Sequence, residues 1–571
     1  MTFRDTLRQI LVRTRTFGIA HGARRHIRLL TDGTYRASEH GRRKALQAFS
    51  ERHGEALASE LSPNGLSGPR ALLIGFGVDE CIRLELPLLK ILEMAGFRPV
   101  VLTERDGILR EYYGLLGNTE VVYWDQYRPA LDYARAAALV DEAPTVQSFL
   151  ELEVDGIRVG RFAAATAMKA LRVGELDLQS DTHRRSLELH LASSLRYVLA
   201  SRHILDELRS DTVLFVDRGY TPQAELFDTC LNRGLDAITW NTAHKSSTLL
   251  FKRYDRHIRD EHYSSLSAKT WDRLRKASWE EAKTDRVRDE LRRTYESQDW
   301  YSEVGTQFNA RTFDRQQILA SIGVDRDKKV AVIFPHIVWD GSFFWGDDLL
   351  GNYRNWLVET LKAAAANDRV NWVVKIHPAN TTKNARAGLD GMTAEEQVVR
   401  DHLGELPDHM FLLPPETEIS TYSLFAVADY CLTVRGTVGM EAALFGIPVI
   451  TAGTGRYDRR GFTVDSDSPE AYLAKLAHIE DVPPLTPEES ELAAKFAYGV
   501  FIERPCALTS YSVTYSKEHL TQADVRLNVE RREDWLAADD LVSLASWLKD
   551  GSESDYLHPQ SVGDGSRVET A

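Results

Sequence analysis

Twice along the chain, short apolar runs alternate with amphipathic stretches of helical period, and this alternation restricts the fold more than any other feature. In the first half ALLIGFG reads as a buried strand, DECIRLELPLLKILEMAG as a helix ending on Gly96, and FRPVVLTE as a second strand. DTVLFVDRG, a helix through Thr229 and LDAITWNT repeat the rhythm. From Arg253 to Gln316 the chain turns polar and helical, dense in Arg, Asp and Glu. KKVAVIFPH, NYRNWLVETLKAAAA, NWVVKIHP, HMFLLPP, DYCLTVRG, MEAALFG and IPVITAG then restart the alternation as a second unit. The expectation is an α/β protein with two Rossmann-like domains facing a cleft, behind an N-terminal helical leader. Its divisions are a leader at 1–66, a first domain with helical connector at 67–316, a second domain at 317–548 and a disordered tail at 549–571, which lacks an apolar face.

Composition excludes some functions. The 571 residues carry 84 acidic and 70 basic side chains, a net charge of −14, which argues against a nucleic-acid-binding protein. Cys81, Cys230, Cys431 and Cys506 lie far apart with no CxxC pair, so we expect a reducing cytoplasm and no structural metal. The first thirty residues interrupt their apolar positions with charges too often for a signal peptide or a membrane span. Their arginines, with Ile10, Leu11, Phe17, Ile27, Leu29 and Leu30, allow two readings. One is a docked helix with a solvated basic face, and the other is peripheral contact with the inner face of the membrane.

The candidate chemistry sits where strands of the second unit end. In VVKIHPAN, Lys375 and His377 alternate with Ile376 and project to one side of a strand that Pro378 stops. In DYCLTVRGTVGMEAALFG a buried strand runs through Arg435, Gly436, Thr437, Val438 and Gly439 straight into a helix. Strand, glycine turn and helix start form an anion site, because first-turn N–H groups and the positive end of the helix dipole point at phosphate oxygens. Glu441, read as lying in that first turn, is either a helix-start residue favoured by the dipole or an acceptor for ribose hydroxyls. Arg456 and Arg459 follow the next strand. Each piece has a bland alternative, a capped turn or an ordinary βαβ glycine; their convergence on the strand ends of one domain carries the weight.

VKIHPAN and LTVRGTVGMEAALFGIPVITAGTGRYDRRGFT resemble the C-terminal half of the GT-B glycosyltransferases of the capsule polysaccharide biosynthesis family, which includes bacterial capsule Kdo transferases. The matching motifs are His377-Pro378 and the turn-helix Gly436–Glu441, and Gly453–Thr463 is similar to a further loop of that family. DRGYTPQ and ITWNTAHKSSTLLFKRYD are similar to its acceptor half. The likeness covers residues 330–465 well and 70–255 in patches, and it departs where Arg435-Gly436-Thr437 replaces a serine-rich turn. It implies a CMP-, UDP- or similar nucleotide-sugar donor on the second domain and a glycan or lipid-linked glycan acceptor, of capsule or lipopolysaccharide type, in the cleft. It also implies no cofactor and no obligatory metal. Rival readings on the same architecture are a nucleotide-sugar 2-epimerase and a polyol-phosphate transferase.

Glycosyl transfer needs the leaving phosphate neutralised, and no DxD stands at a convincing strand end; Asp465–Asp467 and the WGDDLLG loop are weak metal candidates. Lys375, His377 and the Gly436–Gly439 amides would then bind phosphate, with His377 as a cation or a donor. For the acceptor's base we rank Asp217 first, beside Arg218 after an apolar strand, and His244 comparably; their bland readings are a helix cap and a surface turn. Asp79 and Glu80 in the GFGVDE turn are weaker, since the turn departs from GxGxxG after its second glycine.

Overall fold

A computed structural model describes residues 33–63, 67–297, 311–387, 391–515 and 523–559. The leader before residue 33, the end of the connector at 298–310 and the tail from 560 lie outside the described residues. Of the expected leader, Gly33–Ala58 is a helix whose Leu46, Phe49 and Leu57 enter the first domain's core.

The first sheet joins β1 (Arg70–Ile74), β2 (Arg98–Thr103), β3 (Glu120–Tyr123), β4 (Thr212–Phe215), β5 (Asp236–Thr242) and β6 (Thr248–Tyr254). The second joins β7 (Val330–Ile333), β8 (Asn371–Lys375), β9 (Met410–Leu413), β10 (Tyr430–Thr433) and β11 (Val449–Thr451). A late strand, β12 (Cys506–Ala507), returns to the first sheet, giving the order β12-β6-β5-β4-β1-β2-β3; the second runs β11-β10-β7-β8-β9. A separate hairpin pairs β13 (Tyr511–Tyr515) with β14 (Ala523–Leu527). β5, β6 and β12 form antiparallel pairs, and the remaining pairings in the two large sheets are parallel. Continuously buried strands such as VAVI and YCLT have helices to cover both faces, which is why their apolar character does not alternate.

Both sheets are doubly wound. The chain builds outward from β1 through β2 to β3, then crosses to β4 on the other side of β1; β7, β8 and β9 precede the same reversal to β10. Such a reversal opens a crevice at the strands' carboxyl ends, where α/β proteins bind ligands. The carboxyl ends of the two sheets meet: Tyr220, beyond β4, donates to Asp340, beyond β7, at 2.5 Å. Two Rossmann-like domains therefore face a common cleft, the GT-B arrangement. No helix among the described residues is long and apolar enough to cross a membrane.

Packing departs from the expected divisions in two places. Leu266, Trp271, Leu274, Val287 and Leu291 of the polar connector share a core with Met440, Phe496 and Val332, so this segment packs with the second domain rather than the first. Conversely, Trp535, Leu541, Leu544 and Leu548 pack against Leu57, Leu88 and Leu92 of the first. Of the tail expected to be disordered, the described residues 549–559 are ordered, with Asp555 and Tyr556 buried. Composition misses this anchoring because it is done by one carboxylate: Asp555 accepts from the Ser267 N–H (2.7 Å) and pairs with Lys252 (3.3 Å) and Arg504 (3.6 Å).

Candidate functional site

At the reversal of the second sheet lies a cavity of about 370 Å³. The ends of β7 (Phe334-Pro335-His336) and β8 (Lys375-Ile376-His377-Pro378) form part of its wall, together with the turn Gly436-Thr437-Val438 beyond β10. Glu441, Arg456 and His244 complete the set of expected residues that line it.

Lys375 ends β8 with its side chain turned inward, only 2% exposed. Its Nζ has no hydrogen-bond partner among the described residues. Burial lowers its pKa to about 8. A buried ammonium without a counter-charge is costly, and one facing a cavity marks a place for an anion. His377 is half-buried, and its Nδ1 accepts from the Ala379 N–H at 3.1 Å. Burial, helped by Lys383 and Lys375, holds its pKa down at about 4. The ring is therefore neutral, with its proton on Nε2. The cationic option expected from the sequence does not hold in the ligand-free protein, which leaves His377 an N–H donor through Nε2.

The helix beyond β10 runs Thr437–Leu444 with Gly436 as its N-cap. Of its first-turn N–H groups, that of Gly439 donates to the Gly436 carbonyl at 3.0 Å, whereas those of Thr437 and Val438 have no intrahelical acceptor by construction, and these two residues line the cavity. Tyr457 donates to the Gly436 carbonyl at 2.8 Å and pins the turn from behind. A Cβ on Gly439 would meet Tyr457 Oη at 2.1 Å. Gly439 is thus required by packing against Tyr457, and it does not line the cavity as a residue approached by ligand.

Arg435 is also placed otherwise than expected. Its guanidinium bonds the Asp347 carbonyl at 2.8 Å and pairs with buried Asp348 of the WGDDLLG loop, away from the cavity lining. Only its backbone serves the site, through an N–H donated to His336 Nε2 at 3.1 Å. Arg456 lines the cavity, held by Ser264 Oγ (3.0 Å), the Arg435 carbonyl (3.0 Å) and Thr437 Oγ1 (2.8 Å). These acceptors are neutral, so its charge is left to act on the cavity. Arg459 instead bonds exposed Asp467 at 2.7 Å.

Glu441 lies one residue beyond the first turn, so the dipole reading of it fails. It is buried, accepts from Tyr295 at 2.6 Å, and has its pKa raised to about 6 by that burial. His244 borders the cavity from the first domain with Nε2 at 2.9 Å from Glu290 Oε1. Burial works to raise Glu290's pKa, but hydrogen bonds from His244 and Lys245 outweigh it and hold the value near 2, so Glu290 is ionised. Asp217 does not reach the cavity lining. Its Oδ1 accepts from the Gly219 N–H at 3.0 Å, and burial raises its pKa.

His336, Tyr295, Glu290 and Tyr457 were missed from the sequence. His336 had a signal: FPH at the end of β7 mirrors IHP at the end of β8. Its ring stacks on Tyr353 at 4.3 Å and 13°. Tyr295 and Glu290 come from the connector helix Glu281–Ser297, more than a hundred residues before Glu441, and had none.

No protein-family model matches the chain, and no curated protein sequence does. Solved structures to which it is similar include a Kdo transferase, a protein with UDP and a UDP-GlcNAc 2-epimerase. One is Thermosulfurimonas dismutans KpsC, beta Kdo 2,4 transferase, at TM-score 0.30 and 14% identity over 50% of this chain and 79% of that one. Another is the S. aureus MnaA–UDP co-structure, at TM-score 0.28 and 13% identity over 75% and 94%. A third is UDP-GlcNAc 2-epimerase from Neisseria meningitidis bound to UDP-GlcNAc, at TM-score 0.25 and 11% identity over 76% and 97%. Scores this low leave the reading of the site to its own geometry.

Proposed function

We propose that the cavity binds a nucleotide-activated sugar and that the protein transfers the sugar to a glycan acceptor entering from the cleft. The observation that carries this is the Lys375 ammonium, buried, without a hydrogen-bond partner among the described residues and facing the same space as the first turn of the Thr437–Leu444 helix. Phosphate oxygens satisfy all of these groups at once: Lys375 supplies charge, His377 Nε2–H and the helix N–H groups supply hydrogen bonds, and Arg456 adds a second positive charge. Charge building on the leaving phosphate is neutralised by these groups, which makes a metal unnecessary. Glu441, held through one oxygen by Tyr295, turns toward the nucleotide's hydroxyls.

His244 is the base we assign, in preference to Asp217, because it borders the cavity and Asp217 does not. Ionised Glu290 beside its Nε2 stabilises the imidazolium formed when His244 takes the acceptor hydroxyl's proton. The class of acceptor, a bacterial surface glycan of capsule or lipopolysaccharide type, is supported by the motif resemblance alone.

Calorimetric titration with UDP, CMP and CDP tests the donor site. The wild type should bind one of them, and Lys375→Met should weaken binding roughly 10- to 150-fold, the 1.5–3 kcal/mol of a hydrogen bond to a charged group. A protein that binds none of the three, or a Lys375→Met variant that binds like its parent, would refute the reading. A panel of nucleotide sugars with and without acceptor glycan then separates transfer from its rivals. Free nucleotide with a lengthened glycan supports transfer, whereas an isomerised donor without acceptor identifies an epimerase.

A further inference from the structure

Beside the donor cavity, and outside its lining, a set of charged and aromatic groups joins the two domains. Tyr220, in the loop after β4, donates its Oη to Asp340 Oδ1 at 2.5 Å and accepts from the Gly341 N–H at 2.8 Å. Asp340 belongs to the second domain and also pairs with Lys383. Lys169 of the first domain lies 3.9 Å from Asp340 and 3.8 Å from the centre of the Tyr220 ring. From the same helix end, Arg172 donates to the Lys383 carbonyl at 3.1 Å and to Asn384 Oδ1 at 3.2 Å. Each of these contacts ends on, or one step from, the helix Ala379–Ala387.

That helix begins directly after His377-Pro378, and its first N–H, that of Ala379, fixes the tautomer of His377 by donating to Nδ1. We propose that Tyr220 is a positioning residue for His377, acting across the domain interface through Asp340 and Lys383. The first domain holds Asp340, Asp340 holds Lys383, and Lys383 holds the helix whose start orients the imidazole with Nε2–H available to the cavity. His377 is then competent as a donor only while the two domains are docked at this point. Burial and the Asp340 charge keep the Tyr220 pKa well above its ordinary value, so it remains a donor throughout the neutral range. This proposal deepens the donor-site reading and rests on it for the consequence, though not for the geometry.

The test uses Tyr220→Phe, which removes one oxygen and leaves the ring against Lys169 and Phe344. Nitrogen-15 NMR of the imidazoles in the ligand-free full-length protein, with His377→Ala used to assign the signal, should show His377 in the Nε2–H tautomer in the wild type. In Tyr220→Phe it should show a mixture of tautomers at nearly unchanged melting temperature. Lys383→Met should do the same, and Lys383→Arg should restore the single tautomer. In calorimetry with UDP and CMP, Tyr220→Phe should weaken whichever nucleotide binds on the order of tenfold, and this loss should vanish in a His377→Ala background, as for groups coupled in one network. An unchanged His377 signal in Tyr220→Phe, or an equal loss of affinity with and without His377, would overturn the proposal. If UDP, CMP and CDP all fail to bind the wild type, the donor-site reading falls, and the NMR result alone decides the positioning role.

Discussion

Lys375 carries its ammonium at 2% exposure, and the free protein bears the strain of keeping it charged there. Its pKa of about 8 against the unfolded value of 10.5 means that, between those values, the unfolded chain binds a proton that the native protein does not. Stability therefore rises with pH across this window, and the full penalty, on the order of 3 kcal/mol at 1.36 kcal/mol per pH unit, is present below it. Lys375→Met should melt higher than the wild type at pH 7, and the difference should narrow as pH climbs from 8 toward 10.5. Differential scanning calorimetry over that range checks it; a variant less stable than its parent would mean the amine has a partner. Nucleotide binding should also take up a proton near pH 8.5, visible as a dependence of the calorimetric heat on buffer ionisation. His377 works in the opposite part of the scale. With a native pKa of about 4 below an unfolded value of 6.5, its neutral form is favoured by folding, and its contribution to stability is lost as pH falls from 6.5 through 4. Both residues were legible in the sequence, since alternation at a strand end puts them on one side; their protonation states depend on neighbours that no local pattern specifies.

At the scale of elements, the strand-turn-helix beyond β10 was readable from its glycines, but the reason for one of them was not. Gly439 appears from the sequence to admit a ligand, whereas in the fold it admits Tyr457, eighteen residues later in the chain. Gly439→Ala should therefore destabilise the protein by about 1–3 kcal/mol, the usual size of overpacking, and spare nucleotide affinity in the folded protein. Urea unfolding and titration distinguish the cases: lost affinity at unchanged stability would put the ligand back against this glycine. Glu441 shows the same limit, because the helix starts at Thr437 rather than near Met440 as read from the sequence, which moves Glu441 out of the first turn and cancels the dipole argument made for it. Helix boundaries are set by the cap, and Gly436 caps through its backbone without a side-chain signature.

For the whole molecule, the chain crosses twice between domains: the connector packs with the second, and β12 with the last helices returns to the first. The closing tie is Asp555, fully buried between Lys252 and Arg504, whose charges hold its carboxyl well below the usual range against the opposing effect of burial. Asp555→Asn should lower stability by roughly 3–5 kcal/mol, the loss expected when one partner of a buried ionic set is removed. Thermal unfolding checks this; a change below about 0.5 kcal/mol, typical of a surface substitution, would show the tail to be dispensable.

What the sequence determined by itself is local and periodic: two runs of buried strands and amphipathic helices, the doubly wound class they imply, and the cations and glycines at strand ends. These follow from side-chain period and turn chemistry, which act over a few residues. Tertiary structure alone decided which strand ends adjoin, because the reversal between β7 and β10 sets His336 beside Arg435. It likewise set the Arg435 guanidinium against Asp348 and away from the cavity lining, placed His244 rather than Asp217 at the cavity, and left Lys375 without a hydrogen-bond partner among the described residues. Burial and counter-charge are properties of packed neighbours brought from distant parts of the chain, and they govern which of several similar side chains is free to do chemistry.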